Sequence, residues 1–226
     1  MHNNVIDPVI RARYTAMKGG REFAYDTLDP ARTAHLVIDM QNGFVEDGAL
    51  LAVTEARNIV ANINAVSEAV RSHGGTNIFF RFTTTSTNDW SSYFEKFQST
   101  EFGRAEVAEF RSGTHNWELH PDIDVADNDI VLDKIRFSAF ATGSSSAMAI
   151  LADRGIDTVI VSGTLTDCCC ATTAQDAHQL GFRVVFLDDA TAALSDNEHN
   201  AAINTLAAWF ADIRHSEHVV SLIGGA

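Results

Sequence analysis

Residues 157–177 constrain this chain more than any other stretch. They open with a β-branched run, Thr158-Val159-Ile160-Val161, which reads as a buried strand. Gly163 breaks the strand, Thr166 or Asp167 is placed to cap a helix, and a small-residue helix is predicted from about Cys168 to Leu180, ended by Gly181. All three cysteines of the chain, Cys168, Cys169 and Cys170, then fall in the first turn of a helix that starts at a strand's carboxyl end. Unpaired backbone N–H groups and the helix dipole favour negative charge there. The expectation is a thiol of lowered pKa, with backbone donors able to hold an oxyanion.

The rest of the chain alternates in the same way. The run Ala34-His35-Leu36-Val37-Ile38 reads as a strand that ends in Asp39. Residues 54–73 form a helix with Ile59, Ile63, Val66 and Val70 on one stripe, closed by Gly74-Gly75. Strands are predicted at 77–82, 129–132 and 182–187, helices at 144–154 and 196–210, and a sixth strand at 218–223. Lys134 sits just past the third strand. Residues 83–127 are polar and aromatic with few clear periods, and read as a lid or pocket wall. Strand–helix alternation implies an α/β fold: a three-layer α/β/α, Rossmann-like arrangement with a six-stranded, mostly parallel sheet and helices on both faces. Residues 31–226 are expected to form one domain. Residues 1–30 read as an N-terminal arm, rich in Arg11, Arg13, Lys18 and Arg21, that packs either on a neighbouring subunit or over its own surface.

Charge narrows the partners. The net charge of −14, from 16 basic and 30 acidic residues, argues against nucleic acid or an anionic membrane, which need a basic face. Three adjacent cysteines cannot build a disulfide framework, and Met1-His2-Asn3-Asn4 lacks a basic-then-apolar leader pattern. A cytoplasmic location with reduced thiols is the expectation.

Asp39, Lys134 and the cysteine turn come from three strand ends, which a doubly wound sheet brings to one edge. A carboxylate, an ammonium and a thiol suit nucleophilic attack on a carbonyl: the carboxylate takes the thiol proton and the ammonium steadies the thiolate. With Val37-Ile38-Asp39-Met40-Gln41-Asn42-Gly43-Phe44, Lys134 followed by Ser138-Ala139-Phe140, and Gly163-Thr164-Leu165-Thr166-Asp167-Cys168-Cys169-Cys170 followed by Thr173-Ala174-Gln175-Asp176-Ala177, the chain resembles the isochorismatase-like cysteine hydrolases. The branch it resembles includes N-carbamoylsarcosine amidases and ureidoacrylate amidohydrolases.

The resemblance implies a catalytic triad of Asp39, Lys134 and Cys169, a non-proline cis peptide at Thr164–Leu165, and an oxyanion hole from the backbone N–H groups of Leu165 and Cys169. It implies hydrolysis of a linear C–N bond in a small amide, ureide or N-carbamoyl compound through a thioester, with no cofactor, in a homo-oligomer, dimer or tetramer. Substrate contacts are assigned to Phe44, Phe140, Arg81 and Trp90, and Arg136 joins Arg81 as a candidate to hold a substrate carboxylate. Cys168 and Cys170 are expected to be small buried hydrophobes. No metal is expected, because the region where zinc-dependent nicotinamidases carry histidines reads Thr83-Thr84-Thr85-Ser86-Thr87-Asn88-Asp89-Trp90. His115, His120, His199, His215 and His218 show no ligand spacing and read as surface or capping residues. The alternatives are an isochorismatase-like vinyl-ether hydrolase that uses Asp39 without the thiol, and a non-catalytic protein, either a thiol redox sensor or an inert relative.

Overall fold

In the computed structural model, which describes residues 1–225, the β-branched runs become six strands. These are β1 (Thr33–Ile38), β2 (Thr76–Phe82), β3 (Ile130–Lys134), β4 (Thr158–Thr164), β5 (Arg183–Ala192) and β6 (Asp212–Arg214). Every neighbouring pair is parallel, in the order β3-β2-β1-β4-β5-β6. The helices are α1 (Pro8–Met17), α2 (Asn42–Val45), α3 (Val60–Ser72), α4 (Thr100–Glu109), α5 (Ala147–Asp153), α6 (Ala171–Gln179), α7 (Asp196–Trp209) and α8 (Ser216–Gly224).

Central strands buried on both faces divide their side chains between two cores. Leu36, Ile38, Ile78, Phe80, Val159 and Val161 meet α5, α6 and α7 through Leu151, Ala174 and Ile203. Val37, Phe79, Ile160 and Val185 meet α3 and α8 through Ile63, Val66, Val219 and Ile223. This is the three-layer α/β/α arrangement expected from the alternation.

One element is of the wrong type in the sequence reading. Residues 218–223, expected to be the sixth strand, lie in α8, and the sixth strand is instead the short β6. The Asp189 carboxylate accepts from Ser216 N (2.8 Å) and Ser216 Oγ (2.7 Å), anchoring the first turn of the helix. Val219 and Ile223, four apart, are then fully buried beside α3, each contributing roughly 1.5–3 kcal/mol. A run of four to six apolar residues fits either period, and the cap and the partner helix decide between them.

Three helices went unread: the single turn α2, and the longer α1 and α4. α1 starts at Pro8 under an Asp7 cap, which accepts from Val9 N at 2.7 Å. α4 starts after Ser99, whose Oγ accepts from Phe102 N at 3.2 Å. The N-terminal segment lies on its own chain: Asn4 donates to Asp188 O (2.9 Å), Val5 N to Asn200 Oδ1 (2.7 Å), Asp7 N to Asn204 Oδ1 (2.8 Å) and Lys18 to Asp212 (2.8 Å). Among the described residues, no helix is long and apolar enough to cross a membrane.

The layer between β1 and α3 holds one polar side chain with a measurable consequence. His35, fully buried, bridges Ser67 Oγ of α3 (3.1 Å) and Ser162 Oγ of β4 (2.7 Å). Burial pushes its pKa down to about 3, so the ring is neutral in the folded chain. The unfolded chain, titrating near 6.5, binds the extra proton first as pH falls. Stability from this site is therefore complete above about pH 6.5 and is lost progressively toward pH 3. We expect the melting temperature to fall between pH 6.5 and 4, and His35→Gln to lessen that fall. Equal slopes for wild type and variant would refute the assignment.

Candidate active site

The strand order reverses between β1 and β4, and a crevice forms at the carboxyl ends of strands flanking such a point. Asp39 follows β1, the cysteine turn follows β4, and Lys134 closes β3. Asp39 has φ of 51°, a left-handed conformation that Asp tolerates better than most residues. Its backbone is held at both ends, with its N–H donating to Phe80 O (3.0 Å) and its C=O accepting from Thr164 Oγ1 (2.9 Å). Gln41 sits just beyond. Its amide donates to Phe82 O (3.0 Å) and Trp117 O (2.8 Å) and accepts from Phe82 N (2.7 Å), pinning the insertion to this turn.

Lys134 reaches past the Phe82 ring, 5.2 Å from its centroid, to place Nζ 2.7 Å from Asp39 Oδ2. Both side chains are 0% exposed. Nζ also donates to Arg136 O at 3.1 Å. The 2.7 Å contact is a buried ion pair. Burial pushes the Asp39 carboxyl up against the pull of Lys134; burial also works to lower the Lys134 pKa, but Asp39 and Cys169 together outweigh it and hold the ammonium protonated. A buried carboxylate of raised pKa beside a fixed cation is a competent proton acceptor.

β4 runs to Thr164, through the expected break at Gly163, with a register shift between Val161 and Gly163. The Thr164–Leu165 peptide is cis. Thr166–Cys170 then form a π-helical turn that leads into α6. Neither Thr166 nor Asp167 caps this turn through its side chain; Thr166 Oγ1 instead pairs with His199 Nδ1 at 2.9 Å. Cys169 is 4% exposed and lies close enough to Asp39 and Lys134 to influence their protonation. Its own pKa is raised, by the neighbouring Cys168 thiol, by burial and by Asp39, against a smaller lowering by Lys134. The direction is opposite to the lowering expected of a thiol at a helix start: the Cys168 thiol and burial both favour the protonated form.

The flanking cysteines differ from each other. Cys170 is fully buried, its thiol 3.7 Å from Ser162 O. Cys168 is partly exposed rather than buried. The histidine reading also changes, since His199 and His120 are both buried, His199 completely, with burial pushing its pKa down to about 4.

The predicted substrate contacts scatter. Trp90 lies in an aromatic wall with Tyr93 (4.7 Å between centroids) and Phe137 (4.8 Å). Phe44 packs on Phe110 in the core (4.7 Å), and Phe140 stacks on Phe182 (5.8 Å) beside α6. Arg81 is engaged by Asp133 (2.9 Å) and Glu118 (3.9 Å) and lies over Trp117. Arg136 donates to Ile135 O (2.7 Å) and Asp89 O (3.0 Å). It lines a cavity of about 400 Å³ with Thr83, Thr85, Asp89 and Phe94, next to Lys134 in the chain. Asp188, Asp189 and His215 place ligand-type atoms within 4.8 Å of one another at the outer strands, where Asp189 is already engaged by Ser216 and Asn62.

A model of the isochorismatase domain matches residues 33–218. The chain belongs to the isochorismatase family of hydrolases. It is 32% identical to a probable inactive nicotinamidase of Arabidopsis thaliana, over 76% of this chain and 86% of that one. It is 25% identical to the ureidoacrylate amidohydrolase RutB of Klebsiella pneumoniae, over 86% and 89% of the two chains. Among solved structures, a cysteine hydrolase from Pseudomonas syringae shares the fold with a TM-score of 0.79 at 24% identity, covering 89% of this chain and 96% of that one. An N-carbamoylsarcosine amidase from Thermoplasma acidophilum aligns with a TM-score of 0.67 at 26% identity, covering 82% and 97%.

Several residues that build this isochorismatase-family site escaped the sequence reading. Thr164 and Gln41 hold the Asp39 turn. Thr173, fully buried on α6, accepts from Ala139 N at 3.1 Å and ties the segment after Lys134 to the cysteine helix. Tyr93 and Phe137 complete the aromatic wall. Thr164, Gln41 and Thr173 lie inside the quoted motifs; Tyr93 and Phe137 carry no local signal.

Proposed function

We propose that the protein is a cysteine amidohydrolase, which cleaves a linear C–N bond of a small amide, ureide or N-carbamoyl compound. The observation that carries this reading is the fully buried Asp39–Lys134 ion pair set beside Cys169 at the sheet's switch point. In this reading Asp39 takes the Cys169 proton as substrate arrives, and the sulfur adds to the carbonyl carbon. The oxyanion is held by the Leu165 and Cys169 backbone N–H groups. Asp39 returns the proton to the leaving nitrogen as the C–N bond breaks, releasing ammonia or an amine and leaving a thioester. Asp39 then removes a proton from water, the hydroxide adds to the thioester, and the carbon–sulfur bond breaks with the proton returned to sulfur. Lys134 stays charged throughout and steadies the negative charge that moves between Asp39 and Cys169. Trp90, with Tyr93 and Phe137, forms the apolar wall against which a flat amide packs.

Ammonia release over a panel of small amides, ureides and N-carbamoyl acids tests the reading. The expected result is release by wild type and a fall of at least about 10³-fold in Cys169→Ser. Equal rates in both proteins would exclude the thioester route and favour a reaction that uses Asp39 alone. Silence of the wild type over the whole panel would count against amidase activity.

A further inference from the structure

The turn that carries Cys169 is held from outside at its first residue. Its shape comes from backbone bonds: Ala171 N donates to Thr166 O, and Leu165 O accepts from Cys168 N (3.2 Å) and Cys170 N (3.1 Å). Its place against α7 is set by the Thr166 side chain, whose Oγ1 pairs with His199 Nδ1 at 2.9 Å. Thr166 and His199 are both 0% exposed, so a shift of either would strand a buried polar atom.

His199 is itself seated by the N-terminal segment. The His2 ring stacks on it, with centroids 4.4 Å apart and planes 22° from parallel. His2 is pinned at both nitrogens: Nδ1 lies 2.7 Å from Asp196 Oδ1, and Nε2 accepts from Ala193 N at 3.0 Å. Its side chain is only 3% exposed. The residues that follow are gripped along their backbone by α7. Asn200 donates to Asn3 O (2.9 Å) and accepts from Val5 N (2.7 Å); Asn204 donates to Val5 O (3.2 Å) and accepts from Asp7 N (2.8 Å). Asp196, His199, Asn200 and Asn204 are spaced three or four apart, so one helix face makes the whole contact. That face fixes the segment in a single register, the one that sets His2 on His199.

Thr166 directly follows Leu165, whose N–H the amidohydrolase reading assigns to the oxyanion, and lies three residues before Cys169. A displacement of Thr166 therefore moves the nucleophile and an oxyanion donor together, and a misplacement of about 1 Å in reacting groups costs on the order of a hundredfold in rate.

We propose that His199 is a positioning residue: buttressed by His2 of the N-terminal segment, it holds Thr166 and so sets Cys169 and the Leu165 N–H against the substrate. The role of Cys169 rests on the amidohydrolase reading, but its placement is measurable without turnover. The probe is iodoacetamide, from which a cysteine sulfur displaces iodide; fragmentation of the labelled peptide separates Cys168, Cys169 and Cys170.

In wild type Cys169, set beside a proton acceptor, is expected to react at least about tenfold faster than the more exposed Cys168. His199→Phe keeps a ring for His2 to stack on and removes both nitrogens; Thr166→Val keeps the shape and removes the hydroxyl. Each is expected to bring the Cys169:Cys168 ratio at least about fivefold closer to parity, and the double variant no further than either alone. Thr166→Ser, which restores the hydroxyl, is expected to recover most of the preference, and His2→Ala to weaken it in the same direction. A ratio unmoved by His199→Phe and Thr166→Val, whatever their melting temperatures, overturns the proposal. Labelling of the core residue Cys170 in step with Cys169 would show that the pairing only keeps the turn folded, which also overturns it. A ratio unmoved by His2→Ala removes the part assigned to the N-terminal segment. With an amide that the protein hydrolyses, His199→Phe and Thr166→Val are expected to lower kcat while KM stays within about twofold. If no amide is cleaved while the ratio responds to the variants, the positioning stands and the amidohydrolase reading fails; a wild type with no preference for Cys169 overturns both.

Discussion

Lys134→Met is expected to destabilise the fold by about 3–5 kcal/mol, because it removes one partner of a buried ion pair and strands the other. Asp39 would then sit at 0% exposure with its only counter-charge gone. Burial already raises its pKa in the native protein, and loss of Lys134 removes the largest opposing influence. The folded variant therefore holds a proton on Asp39 that the unfolded chain, titrating near 3.9, has released. A group whose folded pKa is raised keeps its full contribution below the unfolded value and loses it as pH rises. The deficit relative to wild type should thus be small near pH 4 and deepen toward pH 8. Denaturant titrations at both pH values measure it. The double variant Asp39→Asn with Lys134→Met leaves no uncompensated charge and keeps a residue that accepts φ of 51°. It is expected to regain much of the stability and none of the ammonia release. A Lys134→Met protein as stable as wild type at pH 8 would show that the pair is not buried together as described.

Five of the six strands were legible in the sequence because they are continuous β-branched and aromatic runs, separated by helices closed with glycine at Gly74-Gly75, Gly155 and Gly181; the three-residue β6 carries no such run. That Asp39, Lys134 and Cys169 come together was legible for a related reason, since each lies one or a few residues past such a run. What failed to show depends on contacts between segments distant in the chain. The helical state of 216–224 follows from Asp189, nearly thirty residues earlier, and from the α3 surface. The upward push on the Cys169 pKa comes from the Cys168 thiol and from burial, while the sequence displays only the favourable helix terminus. Arg81 looked available near the end of β2, yet its two acidic partners lie in β3 and in the insertion. The 83–127 segment concealed α4 because Thr100–Glu109 has a weakly apolar face and packs against other parts of the same insertion.

Gly163→Ala should damage the protein more than any other small substitution in the sheet, and the reason is the way two strand ends are brought together. Gly163 pairs with Ile38 in the β1–β4 register, one residue before Asp39 on one side and one before the cis peptide on the other. Its φ of 110° lies where an L-residue with a side chain is strained. A Cβ there would fall inside the contact distance of Ile38 O and only 2.7 Å from Ile38 N, so backbone would have to yield. Strain and overpacking together are expected to cost about 3 kcal/mol or more. Gly155→Ala is the matched control. Its φ of 66° is also positive, but nothing lies within 4 Å of the added methyl, so only conformational strain of about 1–2 kcal/mol is expected. Denaturant titration of both variants separates the two causes. Forcing β1 from β4 would also part Asp39 from Cys169, so whatever Gly163→Ala protein folds should lose ammonia release, while Gly155→Ala keeps it. Equal stability losses in the two variants would mean that the close approach of the strands at Ile38 contributes nothing, and that glycine is needed at 163 for its backbone angles alone.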